Sequence, residues 1–168
     1  PGTHNVATFK ISLAFNEEVE FDLMFYQSLV EPRRGRLVIV HLVDCCIRWD
    51  VATVIANKEE ETILAAITMF CIATFGPMGT LTLDEETGMR GRRAADWADA
   101  HNIQLRFKAP RQKAYTIERH NELLRIGLHG TETQQIKEGI DVPFEQTLAI
   151  TDFMKNSLTV VNEATPYQ

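Results

Sequence analysis

Asp22, Asp84 and Glu118 are three acids from distant parts of one chain. Brought together, they would form an all-oxygen donor set, which suits hard divalent cations such as Mg²⁺ or Mn²⁺. Two such ions held about 3.5–4 Å apart activate an attacking oxygen and stabilise a leaving one in phosphodiester chemistry. No covalent enzyme intermediate is then needed. Taken singly the acids are unspecific. A strand-end aspartate that caps a turn accounts for Asp22 or Asp84, and a first-turn acid favoured by the helix dipole accounts for Glu118. Asp44 competes for the first position, because "RLVIVHLVDCC" (36–46) sets it in the most apolar run of the chain beside Cys45 and Cys46.

Each of these acids sits in its own candidate element. In "NEEVEFDLMFYQ" the residues Val19, Phe21, Leu23 and Phe25 alternate with Glu20, Asp22 and Met24, the period of a half-buried strand. "SLVEPRRGR" (28–36) reads as a long hairpin turn, 37–47 as a central strand, and "WDVATVIA" (49–56) as a third, antiparallel neighbour. Asn57 can cap a helix through "KEEETILAAITMFCIATFG", with Ile63, Ile67, Phe70 and Thr74 at helical spacing and Gly76 and Pro77 to stop it. "GTLTLD" is a strand ending at Asp84, "RRAADWADAHN" a short helix and "IQLRFKA" another strand. The polar segment 110–116 reads as mobile. A helix follows over 117–130 with Ile117, Leu124 and Leu128 on one stripe, and Asp141 with Pro143 opens a last helix through 158. The order is βββαβαβ and then helices.

Composition sets outer bounds. The chain has 168 residues, 45% hydrophobic and 24% charged, enough for one sizeable core, so a single domain over 1–168 is expected, with 1–9 a flexible or extended lead-in. No apolar run is long enough to span a membrane and no signal peptide opens the sequence. An intracellular protein is expected, or a piece of a longer one, as a start at Pro1 suggests. Three cysteines, two of them adjacent, do not make a disulfide framework; Cys45 and Cys46 are expected on opposite faces of a strand as small buried side chains. The five histidines have no cysteine partners at zinc spacing, and Trp49 and Trp97 read as packing residues. A formal net charge of −6 argues against a free-standing nucleic-acid binder, although "EPRRGR" (31–36) and "MRGRR" (89–93) are local basic clusters.

The residues and their order resemble the catalytic core of retroviral and long-terminal-repeat retrotransposon integrases, of the RNase H-like fold. "FNEEVEFDLMF" resembles that family's first strand with its aspartate, and "MFCIATFGPMGTLTLDEETG" its helix, turn and second aspartate. "YTIERHNELLR" is similar to the helix that carries its glutamate, and "NEATPYQ" (162–168) to the segment that closes many retrotransposon cores. Residues 85–117 leave 33 positions between Asp84 and Glu118, close to the family's usual spacing. "VDCCIRW" resembles the end of the family's second strand, where a further aspartate is common. Asp44 then becomes a turn acid, with Arg48 four residues on as a partner. The chain departs from the family at "DEETG", at Tyr115 in place of a glycine, and at Glu122 in place of a basic residue.

The resemblance implies an α/β fold with a mixed five-stranded sheet, its first three strands antiparallel, flanked by helices. It implies a polynucleotidyl transferase that processes DNA 3′-ends and transfers strands, using two Mg²⁺ or Mn²⁺ ions on Asp22, Asp84 and Glu118. Gln112, Lys113, Asn121 and Arg125 are the residues it offers to DNA. Retroelement ends and target DNA are the implied partners, with a homodimer or larger assembly, flanking integrase domains outside this chain, and a nuclear location. Two other readings stay open: a non-enzymatic integrase-like module that binds DNA or protein, and an RNase H-like nuclease acting on hybrids.

Overall fold

A computed structural model describes residues 12–84, 88–108 and 115–158. The lead-in 1–9, residues Gln112 and Lys113, and the closing segment 162–168 lie outside the described residues. Five strands, β1 (Glu18–Gln27), β2 (Arg36–Asp44), β3 (Asp50–Ile55), β4 (Thr80–Asp84) and β5 (Gln104–Lys108), form one sheet in the order β3-β2-β1-β4-β5. β1–β2 and β2–β3 are antiparallel, and β1–β4 and β4–β5 parallel, as expected for the mixed sheet. The hairpin between β1 and β2 turns through a 3-10 turn at Pro32–Arg34 and Gly35, whose φ of 73° suits a residue without Cβ.

The two faces of β1 are divided by its period of two. Val19 and Phe21 join Val40, Leu42, Leu81 and Leu83 under helices α1 (Glu60–Ile67) and α3 (Arg92–Ala100). Met24 and Tyr26 join Leu37 and Ile39 on the other face, under α4 (Tyr115–Glu138) and α5 (Phe144–Leu158). β2 has a helical layer on both sides, which is why its sequence is almost continuously apolar. The expected stripe of α4 holds: Ile117, Leu124 and Leu128 are buried. Each of these burials stabilises by about 1.5–3 kcal/mol, so together they seat α4 on β1 and β2. Gly127 lets α5 approach, since a Cβ there would lie 2.8 Å from Thr151 Cγ2.

Four details depart from expectation. The first long helix starts at Glu60, and Asn57 Oδ1 instead accepts from Glu59 N–H at 3.0 Å in the preceding turn. A π-helical turn at Thr68–Ile72 interrupts it before the short α2 (Ala73–Phe75), adding a residue to the repeat. Cys71 therefore takes the inward place and is buried, whereas Phe70 and Thr74 are exposed. Cys45 and Cys46 lie in the turn after β2, half-buried, not on strand faces. Finally α4 runs on to Glu138, because Glu132 and Gln135 find buried partners beyond Gly130.

Both tryptophans pack, as expected: Trp49 stands edge-on to Phe75 at 5.6 Å, and Trp97 Nε1–H donates to Thr68 Oγ1 at 3.0 Å. The basic clusters are largely paired. Arg34 binds Glu31 and Glu145, Arg93 binds Glu61, and Arg36 lies over the Phe25 ring. No helix among the described residues is long and apolar enough to cross a membrane.

The edge strand β3 and helix α5 border a groove of about 570 Å³ that contains Asp152. Among the described residues its Oδ1 atom is buried without a hydrogen-bond partner, and burial pushes the carboxyl up to about 8. Between the ordinary value of 3.8 and about 8 the folded chain therefore holds a proton that the unfolded chain has lost. Stability falls as pH rises through that window. The Tm of Asp152→Asn, followed from pH 4 to pH 9, is expected to lack this decline and to exceed that of the parent chain above pH 8.

Candidate functional site

The even-numbered side chains of β1 line up beneath α4. Glu20 Oε2 accepts the Ile117 N–H at 2.8 Å, Asp22 Oδ2 accepts from Asn121 Nδ2 at 2.6 Å, and Tyr26 donates to Glu132 Oε2 at 2.7 Å. Strand period two and helix period 3.6 thus run in parallel along one interface. The first of these contacts does for α4 what a capping side chain does, satisfying a donor of the opening turn. Glu20 is itself held by Lys108 of β5 at 2.6 Å, and Glu18 by Arg106 at 2.8 Å.

Asp22 is half-buried in the middle of β1, and Asp84 is exposed at the end of the adjacent parallel strand β4. Their strands pair in register at Glu20 and Thr82, so both aspartates sit two residues further along. The carboxylates feel each other. Burial, and then the neighbouring Asp84 charge, raise the Asp22 carboxyl above its usual range, against hydrogen bonds from Asn121 and from Leu23 N–H. An acidic pair in mutual repulsion fits a divalent cation, whose charge would remove that cost. Glu118 is exposed on the first turn of α4, three residues before Asn121 and so beside it on the helix surface. Among the described residues no three His, Cys, Asp or Glu side chains converge closely enough to hold a metal. The chain brings Asp22 and Asp84 together and leaves Glu118 one helical turn from the residue that touches Asp22.

Asp44 is elsewhere. It is paired with Val19, three residues back along β1 from Asp22, and shares the opposite face of the sheet with that residue. Its Oδ1 accepts from the N–H groups of Cys46 and Ile47 at 3.0 and 2.7 Å, and its Oδ2 from Asn16 at 2.8 Å. It is the turn acid expected, and the Arg48 N–H donates to its backbone oxygen at 3.1 Å, but the two side chains do not pair: the Arg48 guanidinium reaches Thr116 Oγ1 at 3.2 Å. Residue 48 has a φ of 65°, which turns it off the path of the strand.

Of the residues offered to DNA, Arg125 is exposed on α4. Asn121 is buried, and its amide is spent on Asp22 and on His41 Nδ1 at 2.6 Å, not turned to solvent. Glu122 pairs with Arg119 at 2.6 Å. His41 opens a polar chain that sequence reasoning missed. Its Nε2 lies 3.0 Å from Asp50 Oδ1, and Asp50 also meets His120 and Lys155. The backbone of Asp50 exchanges two hydrogen bonds with the Asn156 amide. Burial lowers the basicity of His41, His120 and Lys155 alike. A signal existed: a histidine inside "LVIVHLV" must find polar partners, since a buried unpaired imidazole is costly.

No protein-family model matches the sequence, and neither does any curated protein. Solved structures do match. The chain aligns over 95% of its length, and over 98% of the other, with the HTLV-2 integrase catalytic core domain in its dimeric magnesium complex, at a TM-score of 0.76 and 13% identity. The fold is that of a retroviral integrase catalytic core. A BIV integrase catalytic core domain agrees, with a TM-score of 0.71, 15% identity and 90% and 91% of the two chains covered. So does a chain of the simian T-cell lymphotropic virus intasome, solved in complex with PP2A regulatory subunit B56 gamma, at a TM-score of 0.78 and 14% identity over 93% of this chain. The present chain spans 54% of that one. In this integrase-core fold the start of α4 lies over the middle of β1 beside the end of β4, where Asp22 and Asp84 stand.

Proposed function

We propose that this chain is the catalytic core of a retroelement integrase, a metal-dependent polynucleotidyl transferase that processes DNA 3′-ends and joins them to target DNA. The observation that carries the reading is the juxtaposition of Asp22 and Asp84 on adjacent parallel strands beneath the opening turns of α4. Asp22, Asp84 and Glu118 would hold two divalent cations, Mg²⁺ or Mn²⁺. When bound, these supply activation of the attacking oxygen, water in cleavage or a 3′-hydroxyl in joining, and charge neutralisation at the leaving oxygen. The chain's own part is orientation. Asn121 and the Leu23 N–H hold the two oxygens of Asp22, and Glu20 with Lys108 seats the turn that bears Glu118. Arg125 would meet phosphates, and Gln112 and Lys113 are further candidates for that task. Flanking domains would supply much of the DNA affinity, in a homodimer or larger assembly acting in the nucleus.

The test joins a recessed 3′-end to a second DNA duplex with Mg²⁺ or Mn²⁺ present. Joined product is expected, lost on chelation. Because Asp22 takes up a proton more readily than an ordinary aspartate, metal affinity should weaken as pH falls through its raised value. Cleavage of the RNA strand of a hybrid without DNA joining would assign the core to an RNase H-like nuclease. Absence of metal binding at any pH would assign it to a non-enzymatic module.

A further inference from the structure

We infer that His41 is a positioning residue for Asp22, acting through the Asn121 amide. This rests on the integrase reading for its consequence in metal binding, but its geometry stands alone. An asparagine amide has two ends of opposite hydrogen-bonding sense, and they differ little in shape. Only one orientation serves a metal-binding carboxylate: the NH₂ end must face Asp22, because an ionised carboxylate only accepts. The Oδ1 end then needs a donor. His41 Nδ1 stands 2.6 Å from it, on the residue that pairs with Asp22 across the β1–β2 ladder. With Nδ1–H donating to Asn121, a reversed amide would set NH₂ against N–H on one side and oxygen against carboxylate on the other.

His41 is in turn fixed from behind. Its side chain is wholly buried, and Nε2 faces Asp50 Oδ1 at 3.0 Å; with Nδ1–H given to Asn121, a further proton is needed between Nε2 and that carboxyl, and the two side chains share it. Asp50 is held by His120 from α4, by Lys155 from α5, and through its backbone by Asn156. The line Asp50–His41–Asn121–Asp22 thus crosses three strands and ends on a carboxylate oxygen of Asp22, beside Asp84. It leaves Asp22 one oxygen bound by the amide and the other by the Leu23 N–H. Outer-shell partners of metal-ligating carboxylates commonly matter about 10–100-fold for metal affinity.

The experiment compares His41→Leu, His41→Asn and His41→Gln by two readouts. One is solvent exchange of the Asn121 side-chain NH₂ followed by ¹⁵N NMR; the other is the Mg²⁺ dissociation constant. Leu removes both ring nitrogens. Asn places an NH₂ where Nδ1 stood, and Gln reaches further, toward Asp50. In His41→Leu the amide should exchange at least about tenfold faster and Mg²⁺ binding should weaken about 10–100-fold. His41→Asn should restore both and His41→Gln should not. Should His41→Leu fail to fold, the contrast between Asn and Gln carries the same test. Unchanged exchange in His41→Leu, or an Asn variant no better than Gln, overturns the inference. A parent chain that binds no Mg²⁺ overturns the integrase reading instead, and amide exchange still decides the role of His41.

Discussion

Asp22→Asn is expected to abolish metal-dependent DNA joining, by on the order of a thousandfold or more, while Asp44→Asn keeps it. A thousandfold corresponds to about 4 kcal/mol of lost transition-state stabilisation. That is reasonable if Asp22, as proposed, ligates cations that would neutralise both reacting oxygens. An amide keeps the size of the side chain and the Leu23 N–H contact, so the fold should persist. Asp44 offers a control with the opposite profile. Its carboxylate accepts three backbone N–H groups from Asn16, Cys46 and Ile47. In Asp44→Asn one oxygen becomes a donor facing a donor, which should cost about 1–3 kcal/mol of stability. For a domain of this size each kcal/mol lowers Tm by about 2–4 °C. Joining assays on both variants, beside their melting curves, check the assignment. Loss of joining in Asp44→Asn at a temperature where it is folded, with joining kept in Asp22→Asn, would move the active site to the other face of the sheet.

Glu132→Leu should be the most destabilising single change outside the apolar core, by about 3–5 kcal/mol, the range seen when one member of a buried charged set is removed. Glu132 is fully buried in α4 and accepts from Tyr26 Oη, Ser28 Oγ and the N–H groups of Leu29 and Val30. One carboxylate thus ties the outgoing end of β1 and the start of the hairpin to the helix. Burial, and then the hydrogen bond to Glu132, push the Tyr26 hydroxyl far above its ordinary value, so it remains a donor at all working pH values. Leucine would leave four donors without an acceptor. Glu132→Gln keeps one oxygen and should cost less, about 1–2 kcal/mol. Urea unfolding of the two variants gives the comparison. Adding Tyr26→Phe to Glu132→Leu should cost less than the two separate effects combined, since the hydroxyl is already orphaned. A Glu132→Leu loss below about 1 kcal/mol would show that water reaches these donors and that the contact does not hold the hairpin.

The strands and helices were legible because each follows a local period. Alternation in "VEFDLMF", the unbroken apolar run of β2, and the turn residues at Pro32, Gly35, Gly76 and Pro143 each demand one backbone geometry. The first three strands, their antiparallel order and the buried stripe of α4 follow from those periods. Phe70 and Thr74 failed because a π-helical turn adds one residue to the repeat, and no local pattern announces that insertion. The resemblance offers Asn121 to DNA, and its position three residues after Glu118 puts it on the same helix face, but spacing does not tell which part of that face is covered. β1 covers it.

The sequence by itself determined the elements, their order and the acids available for metal chemistry, since these depend on neighbours along the chain. Which aspartate stands beside Asp84 was decided by strand pairing. Parallel pairing of β1 with β4 sets Asp22 next to Asp84, and the β1–β2 register sends Asp44 to the other face. The polar line from Asp50 through His41 and Asn121 to Asp22 likewise exists only in the folded chain. It joins β3, β2, α4 and β1, and its members, far apart in sequence, meet because a polar group taken out of water must find hydrogen-bonding partners inside the fold.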